Sequence, residues 1–228
     1  MLASNHRRLR LRARQEKQYL DTVIGDLDHR LKHILSVAQD ISVQVAEWTN
    51  DVHQFRNVFQ ERLNSLTKSH ALLVNRNWSS VDITDLARAQ LLPFNNASQI
   101  TTEGDTVFLN PTAAEQIGLA LYELASSSMK YGALKNGGHV SLNWRVFQDS
   151  TLQFVWQESG APHKPTALAH VLLTSVVPNA LRGTASLAGN ADGLIWRLSI
   201  HSEYYTKSKP QELIPAASGE SPTRRRTN

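Results

Sequence analysis

A histidine at position 29 stands among charges, in the run Leu27-Asp28-His29-Arg30-Leu31-Lys32-His33. An exposed imidazole can attack a phosphoryl group, and cations beside it stabilise the charge on the group it accepts. Arg30 and Lys32 supply those cations, and Asp28 can take the ring's proton or orient the ring. The same residues also fit a solvated charged face. Spacing alone leaves both readings open.

Whatever holds His29 must keep it rigid and turned outward. Leu20, Ile24, Leu27, Leu31, Ile34, Ala38, Ile41, Val45 and Trp48 recur at alternating steps of four and three. That is the heptad seam of a helix lying against a partner helix. With Ile24 and Leu31 at a positions and Leu27 at d, His29 falls at f, away from the seam. Arg30 takes g, Lys32 b and His33 c. Asp51 opens a second helix whose apolar residues are Val52, Phe55, Phe59, Leu63 and Leu66, closing with Leu72, Leu73 and Val74. Two such helices with a short join predict an antiparallel hairpin. One hairpin cannot cover both of its apolar faces, so a second copy is expected to complete a four-helix bundle as a homodimer.

At 228 residues there is room for a core, and the 41% hydrophobic content is that of an ordinary globular chain. The absence of cysteine excludes disulfides, thiolate metal sites and a thiol nucleophile. No apolar run reaches the roughly 20 residues of a membrane span, and no secretory h-region follows the start, so a chain acting in the cytoplasm without membrane contact is expected. The net charge of +4 is gathered in arginines at the two ends, Arg7 to Arg14 and Arg224 to Arg226. They lack the interleaved aromatics of a nucleic-acid reader, so they are expected to be solvated arms rather than a nucleic-acid site.

Beyond the hairpin the pattern changes. Residues 82–92 predict a helix, and 98–102 and 105–109 predict short strands. Asn110-Pro111 caps and starts a longer helix running to about Tyr131. Val140, Leu142, Trp144 and Val146 then alternate with polar residues, as do Leu152, Phe154 and Trp156, and later Leu194, Trp196, Leu198 and Ile200. Period two over three runs predicts a largely antiparallel sheet with one buried face, covered by helices at 82–92, 112–131 and 166–178. The expected class is therefore α+β: a helical hairpin followed by an α/β two-layer sandwich. The expected divisions are a basic arm at 1–14, the hairpin at 15–78, the sandwich at 79–203 and a disordered tail at 204–228.

The residues around His29 resemble the phospho-acceptor box of the HWE-type histidine kinases. The run Arg62 to Leu73, with Trp78 beyond it, is similar to that family's second-helix signature. Leu119-Ala120-Leu121-Tyr122-Glu123-Leu124-Ala125 and Lys130-Tyr131-Gly132-Ala133-Leu134 resemble the flanks of its ATP box, and Trp156-Gln157-Glu158-Ser159-Gly160 its Trp-x-Glu glycine box. The resemblance spans about residues 20–200. It implies that His29 accepts a phosphoryl group, that the hairpin dimerises, and that residues 80–203 form a nucleotide-binding domain. Glu123 would be the proton acceptor in the ATP box. Ser127, Lys130, Tyr131, Trp156, Glu158 and Gly160 would lie at the ATP site.

The departures from the family gather at that ATP site. Ser127 stands where the family has the asparagine that holds Mg²⁺, and a serine hydroxyl is the poorer ligand. The family's histidine is Tyr122, and one glycine after Glu158 is Ala161. The glycine-rich phosphate loop aligns with Thr166-Ala167-Leu168-Ala169-His170, where each Cβ obstructs close backbone approach. In the acceptor box the family's asparagine after the lysine is His33. His53 and His70 are expected to be ordinary helix-surface histidines.

The expectation is therefore a phosphorelay protein with an impaired site for ATP and Mg²⁺. It would be charged at His29 by an upstream histidine kinase and discharged to the receiver domain of a response regulator. A weakly active ATP-dependent histidine kinase, and a non-catalytic protein that sequesters a kinase or regulator, are the rival expectations.

Overall fold

The computed structural model describes residues 2–49, 51–76, 78–95, 99–162, 164–189 and 191–208, with side chains from Arg14 onward. Helix α1 runs from Leu2 to Trp48. The segment expected as a separate basic arm is therefore helical from its second residue. The tail beyond residue 208 lies outside the described residues.

Helix α2 spans Val52–Asn75, and Asp51 caps it by accepting from the Gln54 amide at 2.9 Å. The hairpin packs near its turn. Ile41 and Val45 of α1 bury against Leu66 of α2, joined by Val37, Val58 and the stacked rings of Phe55 and Phe59. Farther from the turn the seam has no partner within the chain. Leu20, Ile24, Leu27 and Leu31 remain 56–62% exposed.

The other face of α2 is covered within the chain. Arg62, Ser65, Leu66, Ser69 and Leu73 are its buried residues. Most of them meet α3 (Ile83–Leu91) and α4 (Pro111–Tyr131) of the same chain. The crossing is close because of Gly118: a Cβ there would land on Ser69 Oγ. Polar bonds finish the contact. Gln90 Nε2 donates to the Ser65 carbonyl at 2.9 Å and to Ser69 Oγ at 3.1 Å, and Ser65 Oγ donates to the Gly118 carbonyl at 3.3 Å.

The main sheet has the order β2 (Ile100–Gly104), β4 (His139–Val146), β5 (Leu152–Ser159), β7 (Leu194–Ile200), β6 (Thr184–Gly189). Only the β2–β4 pair is parallel. Val140, Leu142, Trp144, Leu152, Phe154, Trp156, Trp196 and Leu198 point into the core beneath α4, as their alternation predicts. The edge strand β6 escapes the sequence pattern because its residues are small and mostly exposed. A second sheet joins β1 (Val81–Asp82), β3 (Phe108–Leu109) and β8 (Tyr205–Thr206). Tyr204 is buried and β8 pairs with β3, so the ordered chain runs past the expected start of the tail.

The helix expected at 166–178 is three pieces: α5 (Ala167–Val171), a π-helical turn over Leu172–Val176, and α6 (Val177–Ala180). Pro178 has no N–H to give to the Thr174 carbonyl, so the regular ladder cannot continue through it.

Candidate functional site

The chemistry-bearing residues fall into two clefts at opposite ends of α4. The first lies at the N-terminal end, which Asn110 caps by accepting from the Ala113 amide at 2.9 Å. It encloses about 230 Å³ and is lined by His29, Arg30 and His33 of α1, Trp78, and Pro111, Thr112 and Glu115 of α4. His29 is exposed, in keeping with its outer heptad position. It faces the start of α4 as well as solvent.

Arg30 is fixed on both sides, by an ion pair with Asp26 and by stacking 5.1 Å from the centre of the Trp78 ring. The expected role of Asp28 meets a competitor: its carboxylate accepts from Lys32 Nζ at 2.7 Å, one turn along α1. That pair occupies both residues on the exposed face beside His29.

Glu115 is 97% buried by its 3% exposure, yet no sequence pattern singled it out. Its Oε1 lies 2.8 Å from His70 Nε2 and 3.7 Å from His33 Nδ1. Neither Glu115 Oε1 nor His70 Nε2 completes a hydrogen bond of good geometry, so the contact with His70 is a close charge contact. His70 also meets Trp78 edge to face at 5.0 Å. It is therefore a packed histidine and not the surface residue expected, whereas His53 is exposed.

The second cleft lies between α2, the C-terminal half of α4 and the start of α5. It encloses about 180 Å³. Glu123, Ser127, Lys130 and Tyr131 come together there, as does the Thr166-Ala167-Leu168 stretch that replaces the glycine-rich loop. Two ion pairs bind α2 across the opening. Arg62 Nη2 donates to Glu123 Oε2 at 3.4 Å, and Lys130 Nζ donates to Glu61 Oε2 at 3.0 Å. Tyr122 closes one wall. Its hydroxyl is pushed up to about 12 by burial first and then by the Glu61 and Glu123 carboxylates. Lys68 sits 5.7 Å from the centre of the Tyr122 ring, and burial lowers its ammonium from the usual value.

Trp156, Glu158 and Gly160 do not join this cleft. Trp156 is fully buried in the sheet and Glu158 nearly so. Trp156 Nε1 donates to Glu158 Oε1 at 3.0 Å, and the Ala133 amide donates to Glu158 Oε2 at 3.1 Å. The carboxylate thus ties the loop after α4 to β5. Gly160 keeps φ at +96°, where a side chain would be strained.

These observations test the fit of ATP and Mg²⁺. A cleft of about 180 Å³ is smaller than the ~300 Å³ at which small-molecule pockets begin. Its acidic and basic residues are paired across α2, and both oxygens of Glu158 are taken by protein donors. In this arrangement the cleft is too small for a whole ATP molecule, and its charged side chains are already paired.

Arg62 and Trp78 were visible in the sequence only as parts of a signature, without roles. A buried arginine and a Trp-backed arginine have no periodic mark that could have assigned them.

The helical hairpin set against a mixed sheet is the fold of a histidine kinase core. The blue-light activated histidine kinase of Erythrobacter litoralis aligns with a TM-score of 0.60 at 15% identity, over 76% of this chain and 59% of that one. Its isolated histidine kinase domain aligns at 0.51 and 13% identity, over 72% of this chain and 94% of that one. The sequence narrows the class. Residues 26–106 match the model described as HWE histidine kinase. The blue-light-activated histidine kinases of Brucella anthropi and Brucella abortus are each 30% identical over 183 residues, 76% of this chain. The chain carries an HWE-type histidine kinase core, and it spans 37% of the length of those relatives. Among the described residues no helix is long and apolar enough to cross a membrane.

Proposed function

We propose that this chain is a two-component phosphotransfer protein, receiving a phosphoryl group on His29 from an upstream histidine kinase and passing it to a response-regulator aspartate. The observation that carries the reading is the separation of the two clefts. His29 is exposed beside Arg30 at one end of α4, while the cleft corresponding to the ATP box lies at the other end, strapped by α2.

The transfer chemistry asks little of the protein beyond access and charge. The lone pair of one imidazole nitrogen attacks phosphorus, the new N–P bond forms, and the bond to the donor breaks. The proton on the ring passes to water, which the exposed imidazole reaches directly. Arg30 stabilises the phosphoryl oxygens, and Trp78 fixes the guanidinium by stacking. On discharge an aspartate oxygen attacks phosphorus and the N–P bond breaks. The exposed seam of Leu20, Ile24, Leu27 and Leu31 supports a homodimer, with a second copy supplying the missing half of the bundle.

The test is phosphorylation of the full chain with phosphoramidate, a small phosphoryl donor that releases ammonia, beside a parallel incubation with ATP and Mg²⁺. The expected result is an acid-labile phosphohistidine formed from phosphoramidate, absent in His29→Ala, that an added receiver domain removes. Label from ATP in the wild type would establish an autokinase instead. No label from either donor would leave a silent binding protein.

A further inference from the structure

One buried carboxylate reaches the acceptor helix by two routes. Glu115 Oε1 lies 3.7 Å from His33 Nδ1 on α1 and 2.8 Å from His70 Nε2 on α2. His33 is one helical turn beyond His29. His70 meets Trp78 at 5.0 Å, and Arg30, the neighbour of His29, stacks 5.1 Å from the centre of the same ring. Glu115 therefore touches His33 directly and supports Arg30 through His70 and Trp78. Across residues 21–33 every side chain of α1 except Arg30 is exposed. The acceptor segment is thus held to the rest of the chain by these side chains and not by its apolar seam. A buried carboxylate also needs a counter-charge, and the two imidazoles are the groups beside it.

From this geometry we infer that Glu115 is a positioning residue for the His29 reaction, a latch that holds the acceptor turn of α1 against the start of α4 and keeps Arg30 in place beside the imidazole. The role rests on the proposed phosphotransfer, whereas the contact itself does not. The titratable and charged groups in or against the cleft are His29, Arg30 and His33 from α1, His70 from α2 and Glu115 from α4. Arg30 is neutralised by Asp26, which leaves the histidines to answer Glu115. His33 is 42% exposed and trades its proton with water, while His70 is enclosed at 12%. Imidazoles change charge between about pH 5 and 8, so the latch is closed at the acid end of that window and loosens towards the basic end.

The test pairs a distance with a rate. The chain has no cysteine, so Asp21→Cys and Thr84→Cys place two spin labels on exposed sites of α1 and α3, diluted with unlabelled chain so that distances within one chain are read. The separation is expected to be short at pH 6 and longer at pH 8. His33→Asn and Glu115→Gln should show the longer value at both, and His33→Arg should keep the short one at pH 8. Charging of His29 by phosphoramidate at pH 6 should slow on the order of tenfold in His33→Asn and Glu115→Gln, the scale of a small misplacement of a reacting group. At pH 8 the variants should converge on the wild type. A separation indifferent to pH and to both variants would overturn the latch. A longer separation with wild-type charging at pH 6 would make the contact structural only and overturn the positioning role. Wild type that forms no phosphohistidine would remove the phosphotransfer reading and this role with it, while the distances still report whether the latch exists.

Discussion

Glu115 and Ser127 stand on the same helix at positions 115 and 127, one lining the cleft beside His29 and the other lining the cleft behind α2. At 1.5 Å per residue they are about 18 Å apart along the axis of α4. A phosphoryl group held near Ser127 is thus three turns of helix from the imidazole that would take it. That separation supports the proposal that the phosphoryl donor is another protein.

The two straps across the second cleft should differ in cost. Arg62 is 1% exposed, so removing its counter-charge with Glu123→Ala leaves a buried, uncompensated cation. That change should destabilise by about 3 kcal/mol. The Lys130–Glu61 pair is 47% and 36% exposed, and Glu61→Ala should cost less than about 1 kcal/mol. Urea unfolding in phosphate-free buffer, followed by tryptophan fluorescence, checks the order. Equal costs would mean that Arg62 does not depend on Glu123.

Gly118 lets α2 cross α4, and Gly118→Ala should destabilise by about 1–3 kcal/mol by forcing Ser69 aside. Because the clash is with a single hydroxyl, adding Ser69→Ala should recover part of the loss. A double-mutant cycle by chemical denaturation measures the coupling, and strict additivity would contradict the close crossing.

Tyr122 gives a pH signature. Its folded value is raised from 10.0 to about 12, so the native state holds the phenolic proton more tightly than the unfolded chain does. The contribution is whole below pH 10.0 and is lost as pH rises towards about 12. The side chain is partly exposed, so screening makes the decline shallow. Tyr122→Phe should flatten it. Urea midpoints across that window supply the comparison, and identical slopes for both proteins would refute the assignment.

Leu27 and Leu31 lie on the uncovered part of the α1 seam. Leu27→Asp with Leu31→Asp should convert the proposed homodimer to a monomer in sedimentation equilibrium, while circular dichroism keeps the signal of the sandwich. An unchanged mass for the variant would remove the seam as the dimer contact.

Much of this fold was legible because its periods are clean. The Asn110-Pro111 start of α4 and the alternation of β4, β5 and β7 appear where their patterns lie and bury one face, whereas the heptads of α1 are helical as read but bury their seam only near the turn. The docking of α2 on α4 was not legible. Arg62, Ser65 and Ser69 look like surface residues, but Gly118 lets the helices cross, Ser65 donates to Gln90 and the Gly118 carbonyl, Ser69 accepts from Gln90, and Arg62 donates to Glu123. Glu115 and His70 were missed for the same reason: partners distant in sequence decide whether a polar side chain is buried. At the site, Glu123, Ser127, Lys130 and Tyr131 do share a cleft. Trp156 and Glu158 do not, because their polar atoms are consumed in holding the α4 loop to the sheet.

The most direct measurement is the phosphorus NMR spectrum of the full chain after treatment with phosphoramidate. The account predicts a single acid-labile phosphohistidine signal that vanishes in His29→Ala and decays when a receiver domain is added. A wild-type spectrum without that signal, or one that His29→Ala leaves intact, would contradict it.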